Sequence, residues 1–411
     1  MDARQQRGLE LAATKDITQK GNIWIVPSQT NKTKYTVRPH STRPWCSCPD
    51  HESRGVKCKH IFAVEYASKR KTNKDGTTTV TATVQIKETI KRQTYGQDWS
   101  NYNLAQTNEK DKFLELLHDL CSGVETPVQA NGRPRLPYAD AIFSACFKVY
   151  STFSGRRFMS DLRAAQLCGF ISKTPHFNSI FNTLENPELT PILTALITQS
   201  SLPLKSVEKD FAVDSSGFSA CRFEKWFDEK YGGERSIRSW VKVHICCGVK
   251  TNIVTAVEVG DKHTADSPMF PSLMETTGKN FNVSEMSGDN AYSTQVNVGL
   301  VHKHGGTPFF AFKSSSTGAS GGLYQKMYHY FAYKQEEFLN HYHKRSNIES
   351  TFSMIKAKFK DSVRSKTKVA MRNEALCKIL CHNICCLIQE MYCLGIEPEF
   401  WQVNKALSAV S

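Results

Sequence analysis

The chain has no uninterrupted apolar run of the roughly 20 residues that a membrane-spanning helix needs. Its most apolar long segment, 376–387, is broken by Lys378, His382 and Asn383. The first residues are charged and include no apolar signal segment. These absences predict a cytoplasmic, nucleoid-associated protein without a membrane span, whose 14 cysteines stay reduced instead of forming disulfides.

Acidic residues are also scarce relative to basic ones. The 411 residues include 53 Lys and Arg against 39 Asp and Glu, a formal net charge of +14. A polyanion such as nucleic acid is the simplest partner for this balance. An apolar content of 40% is enough for a sizeable core, and the length favours two or three domains.

One stretch near the C-terminal third concentrates residues that handle phosphate groups. Tyr342, Arg345, Glu349 and Lys356 fall within an arc of about 60° on an ideal helix, so that one face carries a phenol, a guanidinium, a carboxylate and an ammonium. The alternative is a solvated helix face with mixed charges. A second stripe would hold this helix against a core, and it consists of Ile348, Phe352, Ile355 and Phe359.

Two aspartates stand where apolar strands are expected to end in turns. Asp214 follows Phe211-Ala212-Val213, and Asp289 follows an alternating segment that ends in Ser287-Gly288. Between and after them the pattern predicts strands at 241–247, 253–259 and 308–312 and a helix at 267–277.

Three carboxylates from two strands and one helix suit a pair of hard divalent cations, which stabilise the attacking and leaving oxygens of a phosphodiester displacement. We therefore predict Asp214, Asp289 and Glu349 as ligands. Asp261 and Asp266 are interpreted as turn or cap residues. For Glu285, a supporting role behind the ligands is an open alternative.

These motifs resemble the DDE transposases of bacterial and archaeal insertion sequences, in the group with a Tyr-Arg-Glu-Lys signature around the last acidic residue. The similarity spans about 211–392 and includes Gly-Asp-Asn-Ala-Tyr at Asp289. It implies a ribonuclease H-like α/β fold, two catalytic Mg²⁺ or Mn²⁺ ions, and DNA cleavage and strand transfer. It also implies that Tyr342, Arg345 and Lys356 hold the DNA end near the metals.

The expected partner is double-stranded DNA, both element ends and target, and a homodimer is expected in the DNA complex. Two rival functions stay open. One is a transposase-derived DNA-binding regulator without turnover, which the intact acidic triad disfavours. The other is a metal-dependent nuclease that cuts DNA without joining it.

A second motif lies near the N-terminus. Cys46, Cys48, Cys58 and His60 form a Cys-x-Cys and Cys-x-His pair, a donor set that suits one structural, tetrahedral Zn²⁺ ion. Strands are predicted at 23–26 and 34–38, and a helix at 61–68. The pattern resembles the SWIM-type zinc finger, which implies a small ββα module that binds DNA or protein.

Composition divides the remainder into helical and polar segments. Several short helices predicted within 137–206 lie near Arg156, Arg157 and Arg163, which favours either a helix-turn-helix-like DNA reader or a structural bundle that braces the catalytic domain. The predicted division is a zinc finger at 1–75, a partly ordered linker at 76–130, a helical domain at 131–205, the catalytic domain at 206–395 and a tail at 396–411.

Overall fold

The structure is a computed structural model. It describes residues 3–29, 33–39, 44–68, 70–72, 78–80, 98–126, 129, 131–132, 135–220, 240–261, 263–313 and 315–401. The chain divides into two compact units, Met1–Gly96 and Gln97–Ser411. Most of the predicted linker before residue 98, and most of the predicted tail, lie outside the described residues.

The N-terminal unit is an antiparallel sheet with helices. Its elements are α1 (Ala3–Thr14), β1 (Thr18–Lys20), β2 (Ile23–Pro27), β3 (Lys34–Arg38), β4 (Trp45–Cys46), α2 (Pro49–Arg54), α3 (Lys59–Ala67), β5 (Arg70–Thr72) and β6 (Thr78–Val80). The first four strands pair in the order β1-β2-β3-β4, and β5 pairs with β6. The predicted strands and helix are present, but the ββα expectation omitted α1, β1, β4 and α2.

The N-terminal core is small and surrounds thiols. Its buried aliphatic residues, such as Leu11, Val26, Val37 and Ile61, pack against three buried cysteines. Burial of so few apolar side chains contributes little to the free energy of folding. A metal bound to the thiols would therefore add substantially to the stability of this unit.

The second unit combines helices with one mixed sheet. Its elements are α4 (Trp99–Thr107), α5 (Glu109–Ser122), α6 (Tyr138–Ser151), α7 (Gly155–Leu167), α8 (Phe177–Glu185), α9 (Leu189–Ser201), β7 (Asp210–Ser219), β8 (Trp240–Gly248), β9 (Val254–Asp261), α10 (Phe270–Asn280), β10 (Glu285–Gly288), α11 (Gln295–Lys303), β11 (Thr307–Phe310), α12 (Gly322–Tyr333), α13 (Gln335–Tyr342), α14 (Ser346–Phe359) and α15 (Lys368–Leu394).

The five-stranded sheet has the order β11-β10-β7-β8-β9. β7, β8 and β9 run antiparallel, whereas β10 lies parallel to both β7 and β11. Successive side chains of a strand point to opposite faces, and here each face has its own core. Ala212 packs with α14 and α15, while Phe211 and Val213 pack with α10 and α11. This mixed sheet with flanking helices is the predicted fold class.

The long helix α15 runs through the larger core. Asn383, fully buried, accepts a hydrogen bond from the Val254 amide and donates to the carbonyl oxygens of Val254 and Ile197. These bonds attach α15 to both β9 and α9, and they satisfy polar groups that would otherwise be costly to bury. No helix among the described residues is long and apolar enough to cross a membrane.

The segment predicted as linker is in fact helical from residue 99 to residue 122. Phe113, Leu117 and Leu120 of α5 are fully buried in the same core as α15. The apolar residues recur at helical spacing, but the polar stretch before them hid this pattern. Helices α6 to α9 also share this core, so they brace the sheet; Arg156, Arg157 and Arg163 remain exposed.

Two local expectations were wrong. Asp214 does not end a strand, because β7 continues to Ser219 and pairs with β8 along its length. The signature residues do not share one continuous helix, because a 3-10 turn at His343–Arg345 separates α13 from α14. The apolar stripe of α14 is confirmed, with Ile348 and Ile355 fully buried.

Candidate active site and metal centre

The pairing of β7 with β10 brings the two aspartates together. Gly288, the last residue of β10, lies opposite Val213 of β7. Because the strands are parallel neighbours, the next residues, Asp289 and Asp214, stand at the same level about 5 Å apart across the ladder. Asp289 also accepts a hydrogen bond of 2.9 Å from the Ala291 amide, which fixes its carboxylate in the turn.

Asp214 is a partly buried carboxylate with little compensation for its charge. Its side chain is 19% exposed. Burial raises the pKa of Asp214 above its usual value, and the nearby charge of Asp289 raises it further; the Ser215 amide, at 2.8 Å, and the Arg345 guanidinium oppose this shift. A positive ion between the aspartates would relieve their repulsion.

Arg345 connects two of the three predicted acidic residues. Its guanidinium lies 3.6 Å from the carboxylate of Asp214 and 2.9 Å from that of Glu349. Arg345 ends the 3-10 turn, and Glu349 lies one turn into α14, with its side chain 61% exposed. Because Ile348 is buried, the adjacent Glu349 faces away from the core.

Tyr342 and Lys356 flank this group. Burial raises the pKa of the Tyr342 phenol; Arg345 opposes this shift, and the charges of Asp289, Glu349 and Asp214 add to it. Lys356 donates a hydrogen bond of 2.6 Å to the Ser216 hydroxyl, two residues beyond Asp214. The two aspartates and the four signature residues therefore lie near one end of the β7–β10 pair.

A second group of polar residues was missed in the sequence. Asp266 forms an ion pair with Lys242 at 2.7 Å, and Nδ1 of buried His244 lies 3.2 Å from the same carboxylate without a hydrogen bond. The charge of Asp266 also raises the pKa of Asp214. Burial opposes ionisation of Asp266, but hydrogen bonds from Lys242 and Ser215 hold its pKa below the usual value. The interpretation of Asp266 as a turn residue did not include these contacts. No local sequence signal reveals them, because Lys242 and His244 belong to β8.

Ion pairs between side chains connect the 3-10 turn before Glu349 to the strands. Lys344 pairs with Asp210 of β7 at 2.6 Å and with Glu285 of β10 at 2.8 Å. Glu285 also lies 2.8 Å from the His341 ring. Glu285 therefore supports the element that carries Arg345 and Glu349, which fits the supporting role left open for it.

The carboxylates fit hard divalent cations in donor chemistry, because all their free ligand atoms are oxygens. Among the described residues, however, Asp214, Asp289 and Glu349 are not gathered as closely as single-ion ligands. Arg345 pairs with two of them. A cation at these oxygens would thus compete with the Arg345 guanidinium.

The four predicted zinc ligands do come together. One ligand atom from each of Cys46, Cys48, Cys58 and His60 lies within 4.8 Å of all the others, and all four residues are buried. The cysteines lie on β4 and immediately before α2 and α3, and His60 opens α3. Among the described residues this is the one group with the donors and spacing of a metal site.

The electrostatics of this cluster differ from thiol to thiol. A hydrogen bond from Cys46 lowers the pKa of the Cys58 thiol, whereas the bond to Cys58 raises the pKa of Cys46 and burial raises that of Cys48. A bound cation would stabilise the thiolate form of all three. Buried Nε2 of His60 has no hydrogen-bond partner among the described residues. Thiolate and imidazole donors of this kind fit Zn²⁺.

Comparison with known families agrees with both motifs. Residues 205–384 match the transposase DDE domain, and residues 35–69 match the SWIM zinc finger. No curated protein and no solved structure gives a match to the chain. The chain therefore contains a transposase DDE domain and an N-terminal SWIM zinc finger, and the buried Cys and His cluster of that finger supports zinc binding.

Proposed function

We propose that this protein is a DNA transposase whose DDE domain cuts double-stranded DNA at the ends of an insertion element and joins the freed ends to target DNA. The observation that carries the proposal is the parallel pairing of β7 with β10, which ends at Val213 and Gly288 and so brings the next residues, Asp214 and Asp289, side by side. Glu349 approaches the same place from α14 through Arg345.

Asp214, Asp289 and Glu349 would hold two Mg²⁺ or Mn²⁺ ions. Bound there, such ions lower the pKa of water and neutralise charge on the phosphate oxygens. The aspartates are oriented by hydrogen bonds from the backbone amides of Ser215 and Ala291, whereas exposed Glu349 is free to move on release from Arg345.

The chain's cations would position the DNA. Arg345 suits contact with two phosphate oxygens through its planar guanidinium, and Lys356 supplies a point charge beyond Asp214. Tyr342 would donate a hydrogen bond from its phenol, since its raised pKa keeps it protonated. These groups place the scissile phosphorus in line with its nucleophile.

Two displacements complete the proposed reaction. In the first, water oxygen bonds to phosphorus and the bond to the 3′ oxygen breaks, leaving a 3′ hydroxyl and a 5′ phosphate. In the second, that hydroxyl oxygen bonds to a target phosphorus and displaces the target's own 3′ oxygen. No covalent enzyme intermediate is needed. Because two element ends are cut together, a homodimer would assemble on the DNA. The protein would act in the cell compartment that contains the DNA.

Separating binding from cleavage tests the assignment of roles. Asp214→Ala, Asp289→Ala and Glu349→Ala should each lower the rate of metal-dependent cleavage by about a thousandfold or more, because each removes a cation ligand. DNA affinity, measured by fluorescence anisotropy without divalent metal, should change little.

The matched control is Asp261→Asn, which alters a carboxylate that is 69% exposed and pairs with Arg372. It should cut DNA at the wild-type rate. If the three alanine variants lost DNA binding together with cleavage, the carboxylates would be structural and the proposed roles would be wrong.

A further inference from the structure

Beyond the proposed active site, the end of β7 leads into a cleft lined with cations. Ser219, the last residue of β7, forms a bridge with Ser362, and the Val363 amide donates to the Ser219 carbonyl at 2.9 Å. The loop after α14 thus prolongs the sheet. Beside it is an open cleft of about 550 Å³, lined by Lys356, Lys360 and Asp361 among others.

A small pit adjoins this cleft and shares Lys360 and Ser362 with it. It measures about 20 Å³, enough for a water molecule or one phosphate oxygen. Lys148, Arg364 and Lys378 line it. Together the cleft and the pit carry five cationic side chains against two carboxylates, those of Asp361 and Glu374.

The pit is built by buried charges. Lys378, 1% exposed, donates to the carbonyl oxygens of Lys360 and Ser362 at 3.0 and 2.6 Å. Glu374, 3% exposed, accepts from the amides of Arg364 and Ser365. Burying two charged side chains to fix one short loop is costly, which indicates that the loop's conformation is needed.

Lys148 is the side chain that lacks a polar partner. It is 6% exposed, lines the pit, and donates no hydrogen bond to another described residue; its ammonium lies 5.9 Å from the Phe181 ring. A lysine with so little exposure keeps few water contacts for its ammonium, which is unfavourable without a protein acceptor. An anionic oxygen in the pit would supply that acceptor.

Backbone strain concentrates at the same place. Thr152 (φ 54°) and Lys360 (φ 72°) both line the pit, and they are two of the three non-glycine residues with positive φ among the described ones. Such conformations are retained where the surrounding structure requires them, often at binding sites.

From these observations we propose that the cleft and pit bind the sugar-phosphate backbone of DNA next to the scissile phosphate, with Lys148 and Arg364 as phosphate contacts. The proposal rests on the DNA-binding role proposed above. Ser216, which holds Lys356, lies two residues along β7 from Asp214, a distance of about 7 Å. A strand leaving the carboxylates toward the end of β7 therefore enters the cleft.

The salt dependence of DNA binding tests this assignment. Anisotropy titrations of a labelled duplex, at several salt concentrations and without divalent metal, give the slope of log affinity against log salt. Lys148→Met should weaken binding several-fold and reduce that slope by about 0.9, the value for one lost phosphate contact. Lys148→Arg keeps the charge and should retain the slope.

Lys279→Met is the matched control, because Lys279 is an exposed lysine of α10. Arg364→Ala removes an exposed side chain and carries the same prediction as Lys148→Met, so the test survives if the buried variant does not fold. Slopes equal to wild type in folded Lys148→Met or Arg364→Ala protein would overturn the subsite. If those variants nevertheless cut DNA normally, the proposed function would stand without it.

Discussion

At the scale of single residues, the two aspartate side chains are charged groups that the local backbone holds in position. Asp214 and Asp289 each accept a hydrogen bond from a backbone amide, at 2.8 and 2.9 Å, which helps to orient their carboxylates. Arg345 and Lys344 instead belong to a short 3-10 turn, and their ion pairs tie that turn to β7 and β10. The fixed carboxylates thus lie on β7 and directly after β10, and the adjustable cations lie on the 3-10 turn.

Lys360 gives a prediction about stored strain. At φ 72° and ψ 151° it occupies a region open mainly to glycine. Lys360→Gly should raise the free energy of unfolding by about 1 kcal/mol, because the relief of strain exceeds the added entropy of the unfolded chain. Thermal and urea denaturation measure this change.

The same variant removes a cation from the cleft. It should therefore bind the labelled duplex more weakly while melting at a higher temperature. A Lys360→Gly protein that was less stable than wild type would show that the left-handed backbone there carries no strain.

At the scale of elements, the sequence predicted what depends on local pattern. β3 was predicted with its observed bounds, β8 within one residue at each end, and β9 within two residues. The Ser-Ser-Gly after Asp214 resembled a turn, yet it remains extended because β8 pairs with all of it. The break at His343–Arg345 has no local signal either, since Asp210 and Glu285, which hold Lys344, are distant in sequence.

The candidate site follows the same division. Residue type and spacing were sufficient to select the carboxylates, the signature cations and the zinc ligands. Asp266 and His244 were not found, because their relation to Asp214 arises from strand pairing. The pit beside the cleft was also not predicted, since it requires α6, α14 and α15 to meet.

Helix α15 gives a prediction about pH. Burial lowers the pKa of His382 to about 4, despite a hydrogen bond of 2.9 Å to the Asn252 carbonyl. The unfolded chain takes up this proton near pH 6.5, before the native protein does. Stability is therefore complete above about pH 6.5 and falls as pH drops toward 4, by up to about 3 kcal/mol.

Comparison with His382→Gln isolates this contribution, because glutamine keeps a donor for Asn252 and does not titrate. The difference in unfolding free energy between wild type and variant should change between pH 6.5 and 4. A difference that stays constant over that range would mean that His382 is protonated in the native state as easily as in the unfolded one.

At the scale of the whole molecule, the two units rely on different sources of stability. The second unit buries a large core on both faces of its sheet, whereas the N-terminal unit has few apolar residues around its thiols. Chelation of zinc should therefore unfold the N-terminal unit and leave the melting of the second unit nearly unchanged. Calorimetry with and without chelator would show the loss of one transition.

Metal analysis supplies the controls for that experiment. Cys58→Ser should lose the bound zinc, whereas Cys168→Ser, which changes an exposed cysteine, should retain one zinc per chain. Equal zinc content in the two variants would contradict the assignment of Cys58 as a ligand.

The most direct test of the central proposal is to follow the products formed on DNA. Purified protein would be incubated with labelled DNA carrying the ends that flank its own gene, in Mg²⁺, Mn²⁺ or Ca²⁺, alongside Glu349→Ala. We predict nicking at the ends and joined products in Mg²⁺ or Mn²⁺, both absent in the variant. Cleavage without joined products would indicate a nuclease, and tight binding without any cleavage would contradict the proposal and favour a DNA-binding regulator.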